Sequence, residues 1–268
     1  MNTKNNIKRA IGALLLALTL PAMAAEGITA QQVMEKNFFV TKVRTLKTDS
    51  TMVLINDRGQ TRERKSTTLT KLQKNGVDSK LLVKFLSPAD IQGTGFLQVE
   101  HSTGDDDQWI YLPALKKTRR LVANNKKDSF VGSDFSYGDI LLPKVELYKH
   151  ALLRVEPLDG QECYVIESIP RDEGVKRDSG YSKKITWARK DNFLETKVEY
   201  YDVSGRLLKT QNVSGHKLVE PDTQRWVAMR REMINHQTQH KTIFTFDRIE
   251  ADVPVADDAF TTRSIERE

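Results

Sequence analysis

Cysteine is almost absent from the chain. The 268 residues include only Cys163, so no intramolecular disulfide can form. An oxidising compartment is compatible with this composition but is not required by it. Cys163 lies in the strand-like run ECYVIE, where we expect a small buried side chain rather than a nucleophile.

Metal-binding motifs are also missing. Neither Cys-x-x-Cys nor His-Glu-x-x-His occurs. His236 and His240 flank a predicted hairpin turn and would stand roughly 13 Å apart in an extended chain, which favours solvated turn histidines over zinc ligands. Asp105, Asp106 and Asp107 lack the spacing of a calcium loop and predict a turn between strands. We expect neither a metal nor a cofactor.

The sequence carries no strong hydrolase signature. Ser133 and Ser136 occur in GSDFSYGD, outside the G-x-S-x-G turn that exposes a nucleophile between a strand and a helix. A Ser-His-Asp set assembled by folding stays open, because chain order does not restrict such a triad. We expect a non-enzymatic protein without catalytic residues and keep a hydrolase as an alternative.

Only one long apolar run is present, and it lies at the start of the chain. Residues 10–20 are apolar or small, but a transmembrane helix needs about 20 such residues. Cations precede this run and Ala22-Met23-Ala24 follows it, which predicts a signal peptide over residues 1–24 with cleavage before Ala25. The residue directly after that site is Ala25 rather than cysteine, so we expect an exported protein without a lipid anchor. A retained N-terminal anchor is the alternative.

Net charge is small once this segment is removed. The formal charge of +6 includes Lys4, Lys8 and Arg9, so cleavage leaves +3, and any strong positive potential must be local. The cations do cluster locally, at Lys116, Lys117, Arg119, Arg120, Lys126 and Lys127. Aromatic residues flank them: Trp109, Tyr111, Phe130, Phe135 and Tyr137.

Three interpretations of this cluster differ in the partner they imply. Nucleic acid would be bound through counterion release, but an exported protein meets little of it. Lysines also protect exposed sheet edges from aggregation. Aromatics beside cations favour an amphipathic partner, such as phosphate head groups or an acidic face of a membrane protein.

The patterning predicts a mainly β architecture. Thr29 and Gln32 form a capping box for one helix near the start, and SPADI and YGDILLPKVEL predict further short helical segments. Most other runs are typical of strands joined by tight turns: 51–57, 67–73, 79–86, 95–101, 108–113, 116–122, 151–158, 163–168, 183–189, 193–202, 206–213, 225–234 and 241–250. Even spacing favours an antiparallel sheet that curls into a barrel or half-barrel, within one domain over residues 25–268. The few helices are expected to cover its inner face.

Several of these motifs resemble a known family. LSPADIQGTGFL, DQWIYLPALKKTRRL, SFVGSDFSYGDI and the closing DDAFT are similar to the outer-membrane lipoprotein-sorting family, whose members share the fold of the LolA and LolB carriers. The resemblance covers roughly residues 28–263. It implies an incompletely closed antiparallel β-barrel capped by short helices, with an apolar cavity for acyl chains, in the periplasm.

The resemblance also implies a function and a set of binding residues. We expect a periplasmic carrier of lipids or lipoproteins that contacts membranes transiently and works with an inner-membrane exporter of the RND type. Residues 128–143 are expected to form a lid or rim loop. Acyl chains are expected to contact Met52, Leu54, Phe96, Trp109, Tyr111, Phe130, Phe135, Tyr137, Leu141, Trp187, Phe244 and Phe246. Lys116, Lys117, Arg119 and Arg120 are expected to meet a head group or the partner.

Two other functions are compatible with the same sequence. One is a periplasmic sensor of this fold that detects lipoproteins and signals through protein contact. The other, less favoured, is a lipid-cleaving enzyme.

Overall fold

One continuous antiparallel sheet of 13 strands organises the described part of the chain. The computed structural model describes residues 27–122, 126–141 and 144–267. The predicted signal peptide, residues 1–24, lies outside the described residues. The strands follow the order β6-β5-β4-β3-β2-β1-β13-β12-β11-β10-β9-β8-β7. Their bounds are β1 Thr45–Ile55, β2 Thr61–Leu72, β3 Ser79–Ser87, β4 Gly95–Val99, β5 Asp107–Leu112, β6 Lys117–Leu121, β7 Tyr148–Leu158, β8 Gln161–Pro170, β9 Tyr181–Arg189, β10 Glu195–Asp202, β11 Leu207–Glu220, β12 Arg225–Asn235 and β13 Lys241–Ala251.

The two ends of this sheet do not pair with each other. β6 and β7 are the terminal strands, and each pairs with one neighbour among the described residues. The predicted mainly β, incompletely closed architecture is therefore confirmed. Since the sheet is open, the space on its inner side has to be covered by other parts of the chain.

The predicted first helix is confirmed with its cap. α1 spans Ala30–Val40, and the Thr29 hydroxyl accepts from the Gln32 backbone N–H while the Gln32 side chain accepts from the Thr29 N–H. Val33 is fully buried against Ile166 and Ala188 of β8 and β9. α1 thus covers the inner face of the sheet near its β7 end.

Three shorter helices complete the fold. The predicted helical run 137–147 contains α2 (Tyr137–Ile140) and a separate 3-10 turn at Val145–Leu147, and its residues 142–143 lie outside the described residues. α3 (Glu173–Ser179) and α4 (Thr262–Glu266) have no counterpart in the sequence-based prediction. The turn predicted in SPADI is present, with the Ile91 and Gln92 N–H groups donating to the Pro88 carbonyl.

Apolar residues pack on both faces of the sheet. The inner face carries the largest cluster, which includes Met52, Phe85 and Phe96. On the outer face, Leu82, Leu97 and the α4 residue Ile265 form a second cluster. Both faces are thus partly covered, which departs from the simple apolar-in, polar-out alternation of a sheet with one wet face.

Gly95 makes the outer cluster possible, because α4 lies directly on it. A Cβ atom at this position would stand 2.7 Å from both the Cβ and the carbonyl oxygen of Ile265. We expect Gly95→Ala to displace α4 and to lower the free energy of unfolding by about 1–3 kcal/mol, the usual cost of overpacking. Denaturant unfolding measures this, with Gly27→Ala as control because no atom lies within 4 Å of its added Cβ. Equal stability of the two variants would contradict this account of α4.

Candidate functional site: the cavity under the lid segment

A cavity of ≈ 200 Å³ lies between the inner face of the sheet and residues 126–141. We call residues 126–141 the lid segment. The cavity walls come from β1 to β4, β12 and β13, and the cover comes from the lid segment. Its lining is Thr41, Lys42, Val43, Leu46, Thr48, Thr68, Thr70, Ser79, Leu81, Val83, Gln98, Glu100, Phe130, Phe135, Ile140, Leu141, Trp226, Val227, Ala228, Arg231, Phe244 and Phe246.

Aromatic rings of the lid segment fill the space beside this cavity. The Phe130 ring lies 5.9 Å from Phe85, 5.7 Å from Phe96 and 5.4 Å from Tyr137 between centroids. On the other side of the lid segment, Phe135 stands 6.4 Å from Phe244. These edge-on and tilted contacts hold the cover against the sheet without covalent or metal links.

One end of the cavity is polar, and the two opposite charges of Lys42 and Glu100 pair there. The Lys42 ammonium lies 2.6 Å from Glu100, and both side chains are largely buried. Lys42 also donates to the Ser79 hydroxyl, and the Ser79 N–H donates to Glu100. Burial raises the pKa of Glu100 against the opposing effect of Lys42. The lid-segment residues that line the cavity, Phe130, Phe135, Ile140 and Leu141, are all apolar.

The lid segment is fixed to the sheet by a buried ion pair. Asp139 of α2 lies 2.5 Å from Lys209 of β11, and the Tyr181 hydroxyl donates to Asp139 at 2.9 Å. The Asp139 carboxylate also accepts from the Ser136 N–H, as the second half of a capping box. This single carboxylate therefore joins the helix cap of the lid segment to two strands.

A second attachment lies a few residues earlier. The Thr242 hydroxyl donates to the Asp134 carboxylate at 2.7 Å and accepts from the Asp134 N–H at 3.0 Å. Lys209 donates to the Asp134 carbonyl at 3.0 Å. Lys209 thus contacts the lid segment at two points, and the sheet holds the segment through only three side chains in these attachments.

Nine of the predicted acyl-contact residues lie on the inner face. Five of them line the cavity: Phe130, Phe135, Leu141, Phe244 and Phe246. Four pack in the same inner cluster without lining the cavity: Met52, Leu54, Phe96 and Tyr137. The sheet and the lid segment thus bring these residues into one apolar region.

Trp109, Tyr111 and Trp187 are not in this region. Trp109 and Tyr111 pack with the outer cluster beneath α4. Trp187 packs with Cys163 and Val165 in another cluster, and its indole N–H donates to Glu156. The expectation that these three residues line the cavity is therefore wrong in this structure. The alternation of strand side chains sends them to the opposite face from their neighbours Ile110 and Thr186.

The cations of the predicted rim divide between the two faces of β6. Arg119 pairs in register with Ile110 of the inner cluster, whereas Arg120 is on the outer side and forms an ion pair with Asp107. Lys117 shares the inner side with Arg119, and Lys116 occupies the left-handed turn before the strand. β6 is a terminal strand, so these side chains border the gap between the sheet ends.

The other sequence candidates have structural roles. His236 lies in the β12–β13 turn and contacts the Thr210 hydroxyl. The Ser133 hydroxyl donates to the Phe130 carbonyl, and the Ser136 hydroxyl caps α2. Within residues 27–122, 126–141 and 144–267, no group of three His, Cys, Asp or Glu side chains could hold a metal ion, and no helix has the length and apolar character needed to cross a bilayer.

One serine–histidine contact was not foreseen from the sequence. His150 Nδ1 lies 2.8 Å from the Ser168 hydroxyl, and its Nε2 faces the Val145 carbonyl at 3.0 Å. Ser168 sits inside β8, paired with β7 on one side and β9 on the other. Nearby backbone N–H groups are thus engaged in the sheet and do not form the oxyanion site that acyl transfer requires.

Several known proteins are similar to this chain in sequence and structure. A family model described as "-like: Uncharacterized protein" matches residues 77–267. A solved domain from Vibrio parahaemolyticus, named for outer membrane lipoprotein sorting, is 30% identical with a TM-score of 0.81, over 89% of this chain and 98% of that one. A DUF1329 family protein from Desulfovibrio piger is 28% identical with a TM-score of 0.80, over 88% and 97%.

A third structure extends the likeness at the level of the fold. The LolA superfamily protein from Nitrosomonas europaea is 22% identical with a TM-score of 0.68, over 88% of this chain and 99% of that one. No curated protein matches the chain.

The Asp139–Lys209 pair gives the lid attachment a predictable dependence on pH. Burial alone would raise the pKa of Asp139, but Lys209, Lys184 and the Ser136 N–H outweigh it, and the pKa is lowered. A lowered carboxyl pKa stabilises the fold above the unfolded value of about 3.9, and this contribution is lost as pH falls through the folded value. We expect Asp139→Asn to cost about 3–5 kcal/mol at pH 7, because Lys209 is left buried without its carboxylate.

Denaturant unfolding of wild type and Asp139→Asn from pH 7 to pH 2 tests this expectation. The difference between them should narrow at low pH, where the wild-type carboxylate is also protonated. Asp191→Asn is the control, because Asp191 pairs with Arg189 at the surface and should cost about 1 kcal/mol or less. A difference that stays constant over the whole range would contradict the assignment.

Proposed function

The chain belongs to the LolA-like family of outer-membrane lipoprotein-sorting proteins, and we propose that it carries the acyl chains of a lipid or lipoprotein in the cavity under the lid segment. The observation that carries this proposal is the apolar cavity itself, closed by a segment that is attached to the sheet at few points. The similarity to a lipoprotein-sorting domain supports the same conclusion.

The driving force for binding is the removal of hydrocarbon from water. Each buried CH₂ group contributes about 0.8 kcal/mol, so a chain of several methylenes binds any dry apolar site that admits it. Apolar cavities of about 150 Å³ bind benzene. The cavity of ≈ 200 Å³ is therefore large enough for a short section of an acyl chain in the closed arrangement.

A complete acyl chain needs the space that the lid segment now fills. Phe130 and Phe135 are each 1% exposed and occupy the inner face beside the cavity. When the lid segment moves aside, a ligand chain takes over the contacts that these rings make with Phe85, Phe96 and Phe244. Opening then exchanges one apolar filling for another. For the apolar contacts alone, such an exchange keeps the net change in free energy small, and the polar contacts of Asp139 and Asp134 set the remaining cost of opening.

The proposed setting is the periplasm, with an inner-membrane exporter of the RND type as partner. The predicted signal peptide and the sorting family support this setting. The side chains of Lys117 and Arg119 lie at the gap between the sheet ends, on the terminal strand β6. We assign them to contact with an acidic face of that exporter or with phosphate head groups during transfer between membranes.

Cavity filling tests the acyl site directly. Ala228 lines the cavity and is buried, so Ala228→Phe should place a ring where the ligand chain lies. We expect the affinity for a neutral fluorescent acyl probe to fall by about tenfold, the factor for ~1.4 kcal/mol. Stability should change little, because the ring enters existing space. Fluorescence titration and denaturant unfolding measure the two effects.

Two matched variants control this test. Ala151→Phe makes the same change at an exposed position of β7, and Trp109→Ala alters the outer cluster. Both should leave the probe affinity unchanged, although Trp109→Ala should be less stable. Native mass spectrometry of wild type purified without detergent should find acylated molecules. A wild-type protein that carries no such molecule and binds no acyl probe would refute the carrier.

Charge reversal tests the partner. Lys117→Glu with Arg119→Glu should reduce chemical cross-linking to the exporter at least severalfold, because the proposed contact is electrostatic and steers association. Binding of the acyl probe should persist. Arg58→Glu with Lys74→Glu, in the exposed β1–β2 and β2–β3 turns, is the matched double control. Cross-linking of a signalling membrane protein instead would favour the sensor alternative.

A further inference from the structure

We infer that the inner side of the sheet contains a second compartment that binds the anionic head group of the ligand, with Lys184 and Arg231 as its cationic contacts. This inference rests on the proposed acyl carrier and specifies its ligand class. It concerns the interior of the protein, whereas the cations predicted from the sequence lie on the terminal strand β6.

The second compartment is a cavity of ≈ 80 Å³ beneath α1 and α2. Arg231 and Leu141 line both this cavity and the apolar cavity of ≈ 200 Å³, so the two are neighbours. A single water needs about 10–15 Å³ of such space, so the compartment has room for a carboxylate or phosphate group. Lys184 and Tyr148 also line a third cavity of ≈ 170 Å³, bordered by α3 and the turn at Gly104–Asp106.

Lys184 supplies a cation that has no carboxylate partner. Its ammonium forms no ion pair with any residue in the described ranges, and it stands over three tyrosine rings. The distances to the ring centroids are 5.2 Å for Tyr148, 5.3 Å for Tyr181 and 5.4 Å for Tyr200. Ring faces attract a cation but do not neutralise its charge. The tyrosine rings thus leave the ammonium without an anionic partner at the edge of the compartment.

Arg231 supplies the second cation and, unlike its neighbour Arg230, has no carboxylate partner among the described residues. Arg230, on the other side of β12, forms an ion pair with Glu232 at 2.7 Å. Arg231 lines the compartment and forms no ion pair with the part of the chain that the structure describes. A guanidinium can bind a carboxylate or phosphate through two parallel hydrogen bonds.

The two carboxylates that line the compartment already have donors. Asp139 binds Lys209 and Tyr181, and Glu195 accepts from the Gln211 amide at 3.0 Å. The two carboxylates face three cations, which are Lys209, Lys184 and Arg231. The net charge of this group is therefore +1. Burial lowers the pKa of His150, which also lines the compartment, so it is neutral at pH 7 and does not change this balance.

The arrangement selects one class of ligand. An amphiphile with an acyl chain in the apolar cavity and a carboxylate or phosphate beside it would pair both cations. A neutral head group would leave them partly desolvated without a counter-charge, which disfavours its binding. We therefore assign the ligand to the anionic amphiphiles.

Competition with matched lipids tests this assignment. Oleate and methyl oleate share one chain and differ in charge, as do oleoyl lysophosphatidate and monoolein. Each competes with the neutral fluorescent acyl probe, and the two pairs separate carboxylate from phosphate as the source of the anion. We expect wild type to prefer the anionic member of at least one pair by about tenfold or more. Lys184→Met and Arg231→Met should each remove most of that preference, because each change removes one of the two cationic contacts.

Adjacent residues provide the controls. Lys183→Met and Arg230→Met change the neighbouring cations, which pair with Glu167 and Glu232, and should keep the preference. Equal affinities for charged and neutral lipids in wild type, or an unchanged preference in both Lys184→Met and Arg231→Met, would overturn the head-group compartment and leave the carrier intact. Failure of all four lipids to compete with a bound probe, or failure of the probe to bind, would count against the carrier itself. Circular dichroism identifies any variant that does not fold. In that case, the affinities of the wild-type protein for the charged and neutral lipids decide whether the head-group compartment exists.

Discussion

The lid segment covers the inner side of a sheet whose two ends do not pair, and a buried carboxylate provides one of its two polar attachments. Asp139 gathers the α2 cap, Lys209 of β11 and Tyr181 of β9 around a single group. A buried ion pair adds little net stability by itself, because desolvation offsets most of the attraction. The ion pair instead contributes specificity. It fixes one position of the lid segment, whereas contacts between apolar rings alone would allow several positions.

The alternation of side chains along each strand determines how the inner side of the sheet is divided into an apolar and a cationic cavity. Because side chains alternate between faces, one run of residues can supply an inner-face cation and an outer-face ion pair in succession, as Lys184 and Lys183 do. The same alternation places Phe244 against the lid segment and Arg231 beside the second compartment from two adjacent strands. An apolar cavity and a cationic one can therefore share a wall without mixing their surfaces.

Much of the fold was predictable, because the strand runs are bounded by strong turn residues and the first helix carries a complete capping box. α3 and α4 were missed since helices of seven and five residues show little periodicity, and α4 is held by its packing on Gly95. For the site, the aromatics of the lid segment were predictable from the GSDFSYGD motif. The face of the sheet on which Trp109 and Trp187 lie was not predictable, because both faces of this sheet carry apolar clusters. Lys184 and Arg231 were missed because a cation in an alternating strand ordinarily faces solvent.

The two compartments are also linked through the lid attachment. Lys184 contributes to the lowered pKa of Asp139, although it forms no direct ion pair with it. An anionic head group that binds Lys184 takes up part of the positive potential that stabilises the ionised Asp139. If the proposed head-group compartment binds an anion, that binding would weaken the attachment of α2 and favour the open lid segment that a complete acyl chain needs. Coupling between two sites is reciprocal. Closure of the lid segment, which brings Asp139 back beside Lys184, would therefore favour release of the anion.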